Sequence, residues 1–381
     1  MRKHRLMTPG PSPVPEETLL ELAQPMFHHR TAEFEAILRQ VLIDLKYVFD
    51  TQNDVLILTS SGTGAMESAV VNMVPRGGKA IVLAAGRFGE RWSEIAAAFG
   101  IEVVLVQVSP GQSVQPTQLV SALRAHPDVA AVFATLCETS TGAGHDIAAF
   151  GDIVSKTPAI LVVDAISGGG AMECRTDGWG VDVLVTGSQK ALMMPPGLAF
   201  VTVSGKAWAR AEQFNPQAFY FDLGKMRQKI SVPDTPFTSA HTLIKALGTS
   251  LGKIRQEGIE QVWSRHRRLA AACRAGIRAL GLELFAQQPA DAVTTVTVPR
   301  NLDVSKLLAR LVERFGIKLV GGQDELKGRI FRIAHMGYMD EFDIMGTISA
   351  LELVLAELEW KLEPGRAVAE TQRVLASPDG R

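Results

Sequence analysis

A lysine, an aspartate and a hydroxyl-rich glycine turn each stand at or just past the end of a short apolar run of this chain. Lys190 closes the segment GSQK after residues 181–186; Asp164 follows residues 160–163; SSGTG, residues 60–64, follows residues 55–59. A primary amine forms an imine with an aldehyde. A carboxylate in apolar surroundings holds a cation such as a protonated ring nitrogen. A glycine turn opening a helix offers backbone N–H groups and the positive end of the helix dipole to a phosphate. Aldehyde, ring nitrogen and phosphate together describe pyridoxal phosphate (PLP). Its ring remains an electron sink while a carboxylate keeps the pyridinium protonated.

Each element taken alone also has a plainer reading. The SGTG turn suits any strand-to-helix connection. It also suggests a dinucleotide site, but the third position of GxGxxG is Glu67, and no acid closes the run at residues 80–84. Most lysines lie at the surface, although Lys190 stands between apolar runs and ahead of MMPPG, residues 193–197. Aspartate is a common helix cap. The three in this order are more specific than any one of them.

The elements that must position these residues alternate. Strands are expected at residues 55–59, 80–84, 103–108, 129–135, 160–163, 181–186 and 199–203, and helices at 64–74 and 90–99, after helical patterning from residue 16 and at 32–49. Short apolar runs bounded by turns fit strands buried on both faces, so the expected fold is α/β, with a mostly parallel sheet flanked by helices. Ligands of such sheets bind beyond the carboxyl ends of the strands, where all three elements fall. MTPGPSPVP, residues 7–15, reads as an extended arm because proline fixes φ and bars helix before it. Past residue 242 the pattern becomes that of a smaller α+β unit. Helices are expected there at 243–256, 260–280, 304–315 and 341–358, and strands at 292–298 and 330–334, with a peripheral tail after Pro364. The expected division is an N-terminal arm (1–20), a large PLP-binding domain (21–245) and a small C-terminal domain (246–381).

Composition narrows the partners. The 381 residues carry 39 basic and 40 acidic side chains, with 46% hydrophobic and 21% charged residues. That balance asks for neither nucleic acid nor a membrane surface. The basic run Arg265-His266-Arg267-Arg268 reads as a solvated helix face. Cys137, Cys174 and Cys273 show neither CxxC spacing nor histidines at ligand intervals, so no metal site or disulfide framework is expected. The basic start is followed by TPGP instead of an apolar stretch, so it does not read as a secretory signal, and no apolar run reaches membrane-spanning length. A cytoplasmic location is the expectation.

From TPGP (residues 8–11) to FRI (331–333) and Gly337-Tyr338, the chain resembles the class V, fold-type I PLP aminotransferases, within them the alanine–glyoxylate and serine–pyruvate group. The stretches LVVDAISGGGAMECRTDGWGVDV and GSQKALMMPPGLAFV carry most of the likeness. The resemblance implies a Schiff base on Lys190, with Asp164 on the pyridinium nitrogen. It places Ser61, Gly62 and Thr63 in the phosphate cup, and stacks Phe88, in GRFGERW, on one ring face with Ile166 on the other. Thr139, in CETSTG, falls near the ring's phenolic oxygen, and Gln189 at the phosphate or a ring oxygen. Thr238, with Thr235 as a second possibility, would reach the phosphate of a neighbouring subunit, which implies a homodimer with shared sites. Arg332 would grip the substrate's α-carboxylate, a task a planar fork does better than lysine. Gly10 would line the substrate pocket.

There are departures from the group. Thr235 stands where some glyoxylate enzymes carry tyrosine, and Thr63 where they carry histidine in the cup. FHHRT, residues 27–31, resembles the His-Arg element of phosphoserine- and aspartate-type relatives. His29 and Arg30 are therefore either polar residues at a helix entry or part of a site for a second acidic group. The expected reaction is transamination from alanine or serine to glyoxylate or pyruvate. The alternative is a dicarboxylate enzyme using aspartate or glutamate with 2-oxoglutarate. A PLP lyase or cysteine desulfurase is a further alternative, but a desulfurase needs a loop cysteine and residues 320–329 hold none. Lys190, Asp164 and Arg332 together speak against a non-catalytic accessory subunit.

Overall fold

The computed structural model describes residues 3–377; residues 1, 2 and 378–381, the outermost parts of the basic start and of the tail, lie outside the described residues. The seven apolar runs form one sheet: β1 (Asp54–Leu58), β2 (Lys79–Ala84), β3 (Glu102–Gln107), β4 (Ala131–Thr135), β5 (Ile160–Asp164), β6 (Val183–Gly187) and β7 (Ala199–Val203). Their spatial order is β1-β7-β6-β5-β4-β2-β3. β3, β2, β4, β5 and β6 pair in parallel. β7 departs from that pattern and runs antiparallel to both β6 and β1. The reason is the link: residues 188–198 are too few for the helical crossover that a parallel return requires. This same short link carries Lys190.

Side chains of successive strand residues leave on opposite faces. Leu161 and Val163 therefore join Phe34, Leu38 and Leu45 of the helix Ala32–Val48 and Leu247 of the helix His241–Glu257 on one side of the sheet. Ile160 and Val162 join Met66 and Val70 of the helix Gly62–Met73 and Trp92 of the helix Arg87–Ala98 on the other. A helix at Pro116–Ala125 was not foreseen; its buried apolar stripe is only Leu119 and Leu123.

The C-terminal elements pack around a three-stranded antiparallel sheet with Ile330–Ala334 between Val293–Thr297 and Val320–Gly321. Asp303 caps the helix Val304–Phe315 by accepting from Lys306 N, and Gly316 ends it in the left-handed region at φ 68°. Asp340 and Asp343 form a capping box at the start of Glu341–Glu357. The tail is not peripheral: Arg366–Ala376 is a helix with Ala367 and Thr371 buried, and Ala367 belongs to the same apolar cluster as Leu351 and Leu355. Its sequence is too polar on the outer face for the buried stripe to stand out. The helix His241–Glu257 runs unbroken through residues 245 and 246. At the other end of the chain, Arg5–Leu6 pairs in parallel with Ile317–Lys318, and Met7 enters the C-terminal core. The arm is thereby anchored to the C-terminal elements before it crosses to Lys190. No helix among the described residues is long and apolar enough to cross a membrane.

Candidate active site

Asp164 is the last residue of β5, and its register partner in β6 is Val185. Lys190 lies in the link beyond β6, so both side chains reach the same carboxyl edge of the sheet. Both are buried, at 3% and 8% exposure. Burial pulls the Lys190 ammonium down to about 8, with Cys137 and Asp164 opposing that shift and Arg332 adding to it. Burial pushes the Asp164 carboxyl up to about 7, against a hydrogen bond from Ile166 N, while Glu138 raises it further. Desolvation disfavours the charged form of each. A lysine with that pKa keeps a sizeable neutral fraction near pH 7 and can act as a nucleophile. Ile166 N–H, at 2.8 Å, is the only hydrogen bond to the Asp164 carboxylate among the described residues, and it has no ion pair there. A buried acid so sparsely partnered suits a cationic ring nitrogen.

The N-terminal arm closes over the lysine. Lys190 Nζ donates to the carbonyl of Pro9. Ser12 Oγ donates to the Lys190 carbonyl at 2.6 Å, and Ser12 N donates to that of Gln189 at 3.0 Å. Gly10 has φ +107°, and a Cβ there would stand 2.4 Å from Lys190 Cε. Only glycine meets both demands.

The glycine turn opens the helix Gly62–Met73, as expected. Ser61 is the residue before its first turn, and its side chain caps nothing. A Cβ on Gly62 would lie 2.5 Å from Ile166 Cδ1, so the absent side chain lets the helix start approach the segment that carries Asp164. Free N–H groups of a first helical turn suit phosphate oxygens. The buried Gln189 Oε1 has no partner among the described residues. Lysine, sparsely partnered carboxylate, open helix start and unmatched amide fit PLP.

Phe88 lies in the first turn of the helix Arg87–Ala98. Arg91, one turn on, lies with its guanidinium carbon 4.9 Å from the Phe88 ring centroid and donates to Thr63 Oγ1 at 3.3 Å. Thr139 Oγ1 meets Ser167 Oγ at 2.5 Å, and the Thr139 carbonyl accepts from Arg332 Nη1 at 3.0 Å. Arg332 Nε and Nη2 donate to the Gly321 carbonyl at 3.3 and 2.9 Å. Arg332 is 5% exposed and makes no ion pair among the described residues. Burial lowers its pKa, with Glu138 opposing. A guanidinium aimed by two carbonyls and lacking a carboxylate partner is prepared to receive one. Beside Ser140 and Thr141 a cavity of about 540 Å³ opens toward Gly86, Arg87 and residues 323–326.

Three expected residues stand outside this cluster. Thr238 is exposed. Thr235 is buried, and its hydroxyl donates to the Phe237 carbonyl at 2.8 Å. Arg30 is about half exposed and pairs with Asp234 at 2.9 Å, while its neighbour His29 stacks on His241 at 5.7 Å between ring centroids. Glu138, Arg91, Ser167, Pro9 and Ser12 join this region without being marked as site residues in the sequence. For Arg91 the available signal was its spacing of one helical turn from Phe88. For Glu138 it was an acid directly after the mostly apolar run of residues 129–137.

Residues 16–336 match the model of the family described as Aminotransferase class-V. A Synechococcus protein described as the small subunit of a soluble hydrogenase is 41% identical over 380 residues, covering 98% of this chain and 99% of that protein. The L-aspartate–glyoxylate aminotransferase of Paracoccus denitrificans is 34% identical over 376 residues, covering 96% and 95%. The crystal structure of ureidoglycine–glyoxylate aminotransferase from Bacillus subtilis superposes with a TM-score of 0.93 at 26% identity, covering 99% of each chain.

Proposed function

The chain belongs to the class-V aminotransferase family and is a PLP-dependent aminotransferase, and from this premise we propose that it moves an amino group from alanine or serine to glyoxylate or pyruvate. The observation that carries the small-substrate reading is the contrast between two arginines. Arg332 is buried without a carboxylate, whereas Arg30 is already paired with Asp234 at the surface. That leaves one carboxylate grip beside Lys190. Both the Paracoccus relative and the Bacillus protein are named for glyoxylate, which supports that acceptor. The Paracoccus protein's donor, aspartate, favours the dicarboxylate alternative.

PLP, when bound, supplies an aldehyde that takes up amino groups and a ring that withdraws electrons from the adjoining carbon. In our reading Lys190 Nζ would hold the cofactor and, as a free amine, would serve as the base that moves the proton of the substrate's Cα. Its lowered pKa suits a base working near neutral pH. Asp164 would face the ring nitrogen and favour its protonated form. Phe88 and Ile166 would flank the ring, and Thr139 would lie near its phenolic oxygen. Ser61, Gly62, Thr63 and Gln189 would hold the phosphate, and Arg332 would orient the substrate through its carboxylate. Gly10, with Pro9, closes the pocket against water.

We assign residues 1–20 to the arm, 21–245 to the PLP-binding domain and 246–381 to the small domain. The assembly in this reading is a homodimer in which Thr238, with Thr235, reaches the partner's phosphate. The exposed Phe219 and Tyr220 beside Phe237 give that surface apolar area to cover, with Tyr220 and Phe237 stacked at 5.1 Å. A cytoplasmic location suits three free, buried cysteines.

Borohydride reduction of the PLP-loaded protein, followed by peptide mapping, should place the pyridoxyl group on Lys190; label on another lysine sinks the assignment. A panel of amino donors against glyoxylate, pyruvate and 2-oxoglutarate should rank alanine or serine with glyoxylate or pyruvate first by kcat/KM.

A further inference from the structure

We infer that Glu138 is a positioning residue that locks the aromatic wall of the cofactor site to the arginine that receives the substrate carboxylate, an inference that rests on the proposed function. Glu138 belongs to the two-residue strand Cys137–Glu138, paired with Ala143–Gly144, and has no exposed surface. A buried carboxylate is costly unless hydrogen bonds offset its desolvation. Here they converge from two segments. Oε2 accepts from Phe88 N at 3.1 Å and Gly89 N at 2.9 Å. Oε1 accepts from Ser140 N at 3.1 Å and Ser140 Oγ at 2.6 Å. Every partner donates, so the geometry serves the ionised form, although burial raises the pKa. Glu138 makes no ion pair among the described residues.

The first segment is the opening turn of the helix Arg87–Ala98, whose N-terminal N–H groups would otherwise be orphaned. This turn carries Phe88. The second segment is the loop of Thr139 and Ser140. Ser140 Oγ also accepts from Arg87 N at 3.1 Å, and the Thr139 carbonyl anchors Arg332 Nη1. One carboxylate therefore sets the ring-facing aromatic and, through the adjoining residue, the direction of the guanidinium. Its charge also steadies the Arg332 cation and opposes ionisation of Asp164. Local helix capping alone would need only the Phe88 and Gly89 contacts. The bonds to Ser140 and the Thr139 link to Arg332 extend its reach across the site.

The test compares wild type, Glu138→Gln, Glu138→Asp and Ser140→Ala. Glu138→Gln keeps the shape but turns one acceptor into a donor facing donors. The readouts are the thermal melt of the apoprotein, visible circular dichroism of the PLP-loaded protein, and kcat and KM measured separately. Glu138→Gln should lose most of its visible dichroism per bound PLP. It should lower kcat by about tenfold or more and raise KM for the amino donor by a similar factor, because ring and carboxylate grip are disturbed together. Glu138→Asp should recover most of the dichroism, and Ser140→Ala should show a smaller loss of the same sign. If Glu138→Gln folds too poorly to load PLP, Ser140→Ala decides the matter. Unchanged dichroism and KM in the folded variants, with only the melt lowered, would overturn the inference and leave a structural cap. A wild-type protein that takes up no PLP would refute the proposed function itself, a distinguishable result.

Discussion

The carbonyl oxygen of Pro9 accepts a hydrogen bond from Nζ of Lys190, joining the N-terminal arm to the short link beyond β6. A bond that holds the amine in one direction also occupies its proton, so the arm both shields and aims the lysine. The adjoining Gly10 leaves no room for a side chain.

Gly10→Ala is therefore expected to act on Lys190 more than on the fold. The added Cβ would stand 2.4 Å from Cε and 2.5 Å from Nζ, on a backbone at φ +107°. The end of the lysine is flexible and will shift, which costs orientation; a drop of about a hundredfold in kcat is the expected scale for a misplaced reacting group. The fold should lose only on the order of 1 kcal/mol from the strained φ. Steady-state kinetics beside a thermal melt reads both; an unchanged kcat would show that the arm tolerates the methyl group.

Asp164→Asn should change both rate and the pH dependence of stability. With PLP bound, the amide cannot hold the ring-nitrogen proton as a carboxylate does, and a loss of about a hundredfold or more in kcat is expected. In the apoprotein the sign reverses. A folded-state pKa of about 7 lies above the carboxyl's ordinary value of 3.8, so the folded chain binds more protons than the unfolded chain between those values. This group's contribution to stability then falls as pH rises from about 4 to about 7. The apo variant should gain in melting temperature over apo wild type at pH 8 and gain less at pH 5. Equal differences at the two pH values would contradict the buried-carboxyl assignment.

Arg332→Lys removes the planar fork but keeps the charge. The guanidinium's Nη1 bond to Thr139 and its Nε and Nη2 bonds to Gly321 cannot all be replaced by an ammonium. We expect kcat/KM for amino acids to fall by about a hundredfold, with most of the loss in KM, while amines lacking a carboxylate are affected little. Equal losses for both substrate kinds would mean that Arg332 acts on the site's architecture and not on the carboxylate.

Arg30→Ala separates the two substrate readings. Its ion pair with Asp234 is surface-exposed and is expected to contribute less than about 1 kcal/mol to stability. For a small-substrate enzyme the ratio of kcat/KM for alanine–glyoxylate to that for aspartate with 2-oxoglutarate should stay unchanged. If wild type prefers dicarboxylates by about a hundredfold, and the variant erases that margin, Arg30 is a second carboxylate grip and the small-substrate reading fails.

The sequence by itself determined the alternation of apolar runs and helices, and with it the level at which Asp164 and Lys190 emerge. Both properties are local. A run buried on both faces reads as a strand wherever it lies, and whatever directly follows a parallel strand stands at the sheet's carboxyl edge. The glycine turn before Gly62–Met73 was legible for the same reason. What only the tertiary structure decided depends on segments far apart in the chain. The insertion of β7 between β6 and β1 brings residues 199–203 against residues 54–58. The course of Thr8–Ser12 over Lys190 follows from the earlier pairing of Arg5–Leu6 with Ile317–Lys318. The burial of Glu138 between a helix start and a loop, the aim of Arg332 between two carbonyls, and the pairing of Arg30 with Asp234 each require two surfaces to meet. No periodicity within one segment encodes such a meeting, because packing between segments is set by their joint shape and not by the residue spacing of either.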